Sequence, residues 1–325
     1  MTTAAYPHQA EDVPYTKGLH RLTEHVWSYL LPDGSWGWSN AGVVTGDGES
    51  LLFDTLFDLA LTRDMLAAVI GAVPNHPIRN AVLSHANGDH CFGTELLAND
   101  IDIYASPETA HGMLEVSPEE IVELFHADLG PVGTAFFHDC FSPFRFDNIT
   151  MRLPNQSVPS QMTLNVGGTA VELIPLGPAH TEGDLIAWIP DDRVLFTGDL
   201  LFNGGTPVMW AGPAENWINA CDTMLALQPE FVVPGHGPVT NHDALTRTRE
   251  YWSYLSAQAR ELHDRGLTSR EAAFAVDLGE YRAWGDAERT VVNMHSLYRE
   301  IDPDTPPVDI LRSFADMAEW RVAHP

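Results

Sequence analysis

Apolar and polar positions alternate along the chain in a way that predicts strands separated by helices. Runs rich in β-branched and aromatic residues predict strands at 25–31, 40–46, 50–55, 80–84, 101–106, 169–177, 184–190, 193–198 and 230–235. Apolar residues at three- and four-residue spacing predict helices at 59–73 and 214–227, and further helices beginning near Cys91 and at Pro107. Strands with intervening helices indicate an α/β fold.

The pattern changes near residue 242, where it becomes helical to the end of the chain. It predicts a helix that stops at Gly266, followed by helices at 269–276, near 286–300 and near 306–321. Residues 131–160 lack periodicity and are rich in Pro, Phe and Asn, so we expect a long connection over the fold, near the active site. We divide the chain into an N-terminal arm (1–18), a main domain (19–241) and a helical C-terminal extension (242–325).

Composition narrows the class of partner. The 325 residues carry 17 basic and 45 acidic side chains, a formal charge of -28 that repels polyphosphate, so we expect a small-molecule substrate and no nucleic acid. No apolar run reaches the roughly 18 residues of a membrane span, and we see no secretory signal. The three cysteines lie far apart and suggest neither a disulfide framework nor a cysteine zinc site. We therefore expect a cytoplasmic protein; homo-oligomer formation stays open.

Metal-binding side chains follow four of the predicted strands. Imidazole nitrogen and carboxylate oxygen are good ligands for borderline and harder dications, and strand ends are where an α/β fold gathers distant residues. Four separate segments in this arrangement are hard to attribute to chance, although any one of the 15 histidines would mean little alone. The candidates are His85, Asn87, Asp89 and His90 after the first of these strands, then His180, Asp199 and His236.

The motifs SHANGDH, GPAHTEGDLIAW, LFTGDLLF and VPGHGP, with LLFDT ahead of them, resemble those of the metallo-β-lactamase-fold hydrolases of the glyoxalase II-like kind. The resemblance covers about residues 20–240 and implies an αββα sandwich with a helical C-terminal extension. It also implies two metal sites bridged by Asp199. The first would use His85, position 87 and His180, and the second Asp89, His90 and His236.

Asn87 departs from that family pattern, which has histidine in its place. A neutral amide oxygen is a poorer zinc ligand than imidazole. Asn87 could coordinate weakly through its oxygen, hydrogen-bond to a coordinated water, or leave the first site empty. The second site keeps all its implied ligands. These ligand sets fit either one ion or two ions with a labile or harder ion in the first site. We expect zinc, and iron or manganese stay open.

These residues predict a metal-dependent hydrolase. A bound dication lowers the pKa of coordinated water to about 7 and so supplies hydroxide at neutral pH, which Asp89 or Asp199 would orient or deprotonate. The expected substrate is an ester, thioester, lactone or amide of a small, largely apolar molecule. The alternatives are a metal-dependent redox or oxygen-using enzyme on the same scaffold and, third, a binding protein without activity.

Several residues bear on the substrate or on ligand orientation. Trp36 and Trp38 lie in a Gly/Ser-rich loop and either form an apolar flap over the metal or pack as core. Asp54 either supports a ligand histidine, as the resemblance implies, or caps a turn. The remaining candidates either line the substrate pocket or serve packing; they are Phe202, Met209, Trp210 and His295.

Overall fold

The computed structural model describes residues 9–10, 12–115 and 117–325; of the predicted N-terminal arm, residues 1–8 and 11 lie outside the described residues. The strands are β1 (Gly18–Arg21), β2 (Val26–Leu30), β3 (Ala41–Gly46), β4 (Glu49–Phe53), β5 (Ile78–Val82), β6 (Asp102–Ala105), β7 (Gln156–Ser157), β8 (Met162–Val166), β9 (Thr169–Pro175), β10 (Leu185–Ile189), β11 (Val194–Phe196) and β12 (Phe231–Val233).

The helices flank these strands and dominate the C-terminal region. They are α1 (Leu59–Ala72), α2 (Gly88–Cys91), α3 (Pro107–Gly112), α4 (Pro118–Leu124), α5 (Gly130–Phe141), α6 (Ala214–Ala226), α7 (His242–Asp264), α8 (Ser269–Ala275), α9 (Thr290–Ile301) and α10 (Ile310–Ala323). Across the described residues, none of the helices combines the length and the apolar character that a bilayer span requires.

The strands form two sheets that pack face to face. One sheet has seven strands in the order β1 to β7, antiparallel from β1 to β4 and parallel from β4 to β7. The other has five strands in the order β12-β11-β10-β9-β8, with β11 and β12 parallel. The predicted αββα sandwich is confirmed.

Alternation along the strand explains why a central strand such as β10 is apolar throughout. In β10, Leu185, Ala187 and Ile189 face the core between the sheets, whereas Ile186 and Trp188 face the core beneath the helices. Successive side chains of a strand point to opposite faces, so a strand buried on both faces needs an unbroken apolar run. Each sheet is thus covered on both sides.

The C-terminal helices pack directly on the helices of the main domain. Helix α7 begins at His242 and lies against α6, and α10 lies against α5. The division into an arm, a main domain and an extension stays a prediction.

The prediction of a long connection over 131–160 is wrong for residues 131–141, whereas residues 142–155 are irregular, as expected. Residues Gly130–Phe141 form α5, whose first turn contains Pro131. Its buried aromatic side chains pack on Phe314 of α10, with ring centroids 5.2 Å away for Phe137 and 5.7 Å away for Phe141. Burial against a distant helix stabilises a segment whose local pattern is weak. The helix expected from Cys91 is instead a 3₁₀ turn, Phe92–Leu96, following the short helix α2.

Candidate metal centre

Four loops at strand ends bring the predicted donors together. His85, Asp89 and His90 follow β5, and His180 follows β9. The other two donors follow the parallel pair: Asp199 comes after β11 and His236 after β12. Gly235, which precedes His236, must lack a side chain, because a Cβ atom there would overlap Asp199 Oδ1. We call His85, Asp89, His90, His180, Asp199 and His236 the donor cluster.

Asp199 lies at the middle of the donor cluster. One of its carboxylate oxygens, Oδ1, is 3.1 Å from His90 Nε2. The other, Oδ2, is 3.4 Å from His180 Nε2, 3.4 Å from His236 Nε2 and 3.7 Å from His85 Nε2. Asp89 Oδ2 lies 3.3 Å from His236 Nε2. Two sets of three donors have ligand atoms all within 4.8 Å of one another, namely His85–His90–Asp199 and Asp89–His90–His236.

Hydrogen bonds fix the orientation of the first two histidines. Asp54 Oδ2 accepts from His90 Nδ1 at 2.9 Å and from the Ser84 hydroxyl at 2.7 Å. Because the Ser84 hydroxyl donates to Asp54, its oxygen accepts from His85 Nδ1, at 2.9 Å. Both imidazoles therefore turn Nε2 toward the centre of the donor cluster. Asp54 contacts His90, one of the histidines that the resemblance implied as ligands; the part played by Ser84 was not predicted.

Unpartnered buried atoms show that the cluster fits a metal ion. His85 Nε2, His90 Nε2 and Asp199 Oδ1 are buried and make no hydrogen bond within the described residues. His90 Nε2 and Asp199 Oδ1 lie 3.1 Å apart, but a neutral His90 that donates from Nδ1 has no hydrogen on Nε2 to share, so the two lone pairs face each other. Buried polar atoms are nearly always hydrogen-bonded, so convergent exceptions require an explanation. Imidazole nitrogens and carboxylate oxygens are the donor set of zinc and neighbouring dications.

The pKa shifts within the donor cluster also favour a bound cation. Burial alone would raise the pKa of the Asp199 carboxyl, but the His236, His90 and His85 imidazoles outweigh it and hold that pKa well below its usual range. Burial alone would lower the pKa of His236, yet Asp199 and Asp89 raise it to about 9. The two carboxylates thus stabilise positive charge at the centre of the cluster.

The loop that carries His180 is held by residues that the sequence did not single out. His180 Nδ1 donates to the Val208 carbonyl oxygen at 2.6 Å. Asp184 accepts from the Thr181 backbone and hydroxyl, the latter at 2.7 Å, and burial raises the pKa of Asp184 to about 7. The Thr181-to-Asp184 spacing, a polar turn beside a ligand, is the signal that could have found this pair.

A cavity of about 660 Å³ lies near the donor cluster, although none of the six donors is among its lining residues. Phe202 connects the two, because its ring stacks on His236 at 5.0 Å, with the planes 1° apart, and also lines the cavity. Trp36, Trp38 and Trp284 add further aromatic surface to the lining. We call this space the aromatic cavity. Of the residues predicted to contact substrate, Trp36, Trp38 and Phe202 lie on it.

The two tryptophans of the predicted flap differ in burial. Trp36 is 9% exposed, donates from Nε1 to Glu288 and lies under the Arg289 guanidinium, whose carbon is 4.4 Å from the ring centroid. Trp38 is only partly buried and packs on Phe144. Trp36 therefore belongs to the core as well as to the cavity wall.

Three residues predicted to contact substrate lie off the cavity lining. Met209 is fully buried and Trp210 is packed against the core, both in the segment beneath α9. The ring of His295 hydrogen-bonds to the Pro306 carbonyl at 3.0 Å and to Ser269, so it joins neighbouring parts of the helical extension. The positions of Met209, Trp210 and His295 therefore agree with a role in packing rather than in lining the cavity.

Comparison with known proteins extends this picture. The sequence profile of the Metallo-beta-lactamase superfamily matches residues 34–236. The chain is 22% identical over 230 residues to the 2,4-dinitroanisole O-demethylase subunit alpha of Nocardioides sp. (strain JS1661), covering 69% of this chain and 60% of that protein. It is 25% identical over 243 residues to the Metallo-beta-lactamase type 2 of Bacteroides fragilis, covering 71% and 84% of the two chains.

A solved structure resembles more of the chain. The stereoselective inverting sec-alkylsulfatase Pisa1 from Pseudomonas sp. superposes with a TM-score of 0.65 at 19% identity, covering 90% of this chain and 52% of that one. Because 90% of 325 residues cannot fit within residues 1–241, the similarity in fold extends into the helical region. The chain spans about half the length of this neighbour.

Proposed function

Since this chain belongs to the metallo-β-lactamase superfamily, whose members include hydrolases, we propose that it is a metal-dependent hydrolase of small, largely apolar substrates. The observation that carries the proposal is the set of unpartnered buried atoms on His85, His90 and Asp199. The bonds we expect it to cleave are those of an ester, thioester, lactone or amide.

Some residues of the site orient the histidines that would bind the metal, and others can transfer a proton to or from the substrate. When bound, a dication supplies a Lewis acid and an activated water. Ser84 and Asp54 hold the imidazoles of His85 and His90 in the orientation that presents Nε2. Asp89 is the most accessible carboxylate of the donor cluster, with 12% of its side chain exposed, against 3% for Asp199. Asp89 is therefore the group best placed to exchange a proton with a reacting molecule.

The aromatic cavity supports an uncharged aromatic or alkyl substrate. Its lining carries four carboxylates and only two guanidinium groups, which disfavours an anionic molecule. The lining acids are Asp33, Asp139, Glu280 and Asp286, and the bases are Arg247 and Arg321. The name of one relative, the demethylase, likewise contains an aromatic compound, 2,4-dinitroanisole.

The experiment is a hydrolysis assay on zinc-reconstituted protein with a matched pair of esters, 4-nitrophenyl acetate and the anionic 4-nitrophenyl hemisuccinate. We expect turnover of the neutral ester and a lower kcat/KM for the anionic one. His236→Ala should reduce activity by about a hundredfold or more and lower the zinc content, because it removes a donor.

The matched control is His242→Ala. His242 is a histidine six residues further along, with 60% of its side chain exposed, and its replacement should change neither quantity. Unchanged turnover and zinc content in His236→Ala would refute the metal assignment. Iron in protein purified without added metal, with oxygen uptake and no ester hydrolysis, would favour a redox enzyme instead.

A further inference from the structure

The three histidines that follow strands β5 and β9 are held alike at one nitrogen and differ at the other. His85, His90 and His180 each donate from Nδ1 to a fixed oxygen, on Ser84, Asp54 and Val208 respectively. For His85 and His90, Nε2 is then left without a hydrogen-bond partner. For His180, Nε2 has one: the side-chain amide of Asn87, 3.0 Å away.

The direction of this last hydrogen bond follows from the other side of the ring. His180 Nδ1 faces a carbonyl oxygen, which only accepts, so Nδ1 carries the hydrogen and Nε2 is an acceptor. The amide group that faces Nε2 must therefore be the Asn87 NH₂, and the Asn87 oxygen points elsewhere. The lone pair that a metal ion would need on His180 is occupied by a side chain of the protein.

The local structure around Asn87 supports the same interpretation. Asn87 is the N-cap residue of α2, and asparagine at that position usually accepts a hydrogen bond from the helix backbone. Here its side chain makes no capping bond. The amide is turned toward His180 instead. In agreement, neither set of three clustered donors found among the described residues contains His180.

We infer that Asn87 closes one of the two metal positions that the family pattern implies, so that the chain binds one ion tightly and His180 is not among its ligands. The ion would be held by His90, Asp89 and His236 with Asp199. His85 Nε2, 3.7 Å from Asp199 Oδ2, would remain at the closed position, and His180 would serve as a positioning residue. The inference rests on the proposed metal centre, and deepens it by specifying the number of ions and one ligand.

The test is zinc stoichiometry, measured by mass spectrometry on protein dialysed against zinc and then against a weak chelator. Wild type should retain one zinc per chain. His180→Ala should also retain one, whereas His236→Ala should retain none. Asn87→His should retain two, because it removes the amide that faces His180 Nε2 and adds an imidazole.

The outcomes separate the two proposals. Two tightly held ions in wild type, or loss of the ion in His180→Ala while His236→Ala keeps it, would overturn the closure by Asn87 and leave a metal centre in place. No zinc in wild type would overturn both. Because His180 is fully buried, the alanine variant could fail to fold.

A second measurement, on wild type alone, tests whether His180 is a zinc ligand without the alanine variant. In long-range ¹H–¹⁵N spectra, zinc should shift the ring nitrogens of His90 and His236 and leave His180 Nε2 nearly unchanged. A shift of His180 Nε2 as large as that of His90 would overturn the inference.

Discussion

The donor cluster and the aromatic cavity share the Phe202 ring but are assembled in different ways. The donors of the cluster follow four strands, β5, β9, β11 and β12, and a local motif marks the position of each. The cavity instead combines residues from distant parts of the chain, including Trp38, Phe202, Thr248 and Trp284. A short motif can therefore specify a ligand of the cluster, whereas the shape of the cavity depends on how the helical extension packs on the main domain.

This difference predicts that substitutions in the cavity wall leave the metal content unchanged. Trp36→Ala should give the largest effect, a loss of about 3–5 kcal/mol in the free energy of unfolding, because it empties a core position beside Arg289. Trp38→Ala should cost about 1–2 kcal/mol, because Trp38 is only partly buried. Denaturant melts with zinc analysis on both variants measure this.

Kinetics then sharpen the comparison between the two tryptophans. If Trp38 contacts an apolar substrate, its truncation should raise KM by about ten- to a hundredfold, since burying one aromatic face is worth about 1–3 kcal/mol. The same KM in Trp38→Ala as in wild type would show that substrate binds outside the aromatic cavity. Loss of zinc from either variant would show that the cavity wall and the donor cluster are not independent of each other.

Much of the cluster could be predicted from the sequence because its chemistry is local to each strand end. His85, Asp89, His90, His180, Asp199 and His236 all lie within a few ångströms of another predicted donor. Trp284, by contrast, lies in a segment without a motif and reaches the cavity only through the packing of the extension. Helix α5 was missed for the same reason, since its aromatic residues are stabilised by Phe314 rather than by neighbours in sequence.

On the cluster side, Asp54→Asn should weaken zinc binding by about ten- to a hundredfold. Asp54 accepts hydrogen bonds at both oxygens, from the Ser84 backbone and from His90 and the Ser84 hydroxyl. An amide has one oxygen, so its NH₂ must face at least one of these donors. Competition with a fluorescent zinc chelator measures the affinity.

The control for Asp54→Asn is Asp58→Asn. Asp58 is also a buried acid, but it caps α1 through Leu61. Its replacement should leave the zinc affinity unchanged. Equal affinity in the two variants would mean that His90 is oriented without Asp54.

The last prediction concerns two buried thiols, one beside each region, and changes neither the fold nor the metal content. Cys91 follows His90 of the donor cluster, and burial, then Asp89 and Asp54, raise its pKa well above the ordinary value. Cys140 lines the cavity, and burial, then Glu288 and Asp286, raise its pKa to about 12.

At pH 8 a thiol with the pKa of Cys140 is ionised to about one part in ten thousand, so native Cys140 should react with iodoacetamide about a thousandfold more slowly than an exposed cysteine. Because the raised pKa favours the neutral thiol, the rate should rise about tenfold per pH unit from pH 8 to 10. Cys91, fully buried, should stay unmodified over this range and react only after unfolding. Peptide mass spectrometry of timed samples distinguishes the two, and equal modification of Cys91 and Cys140 in the native protein would show that the donor cluster is as open to small molecules as the aromatic cavity.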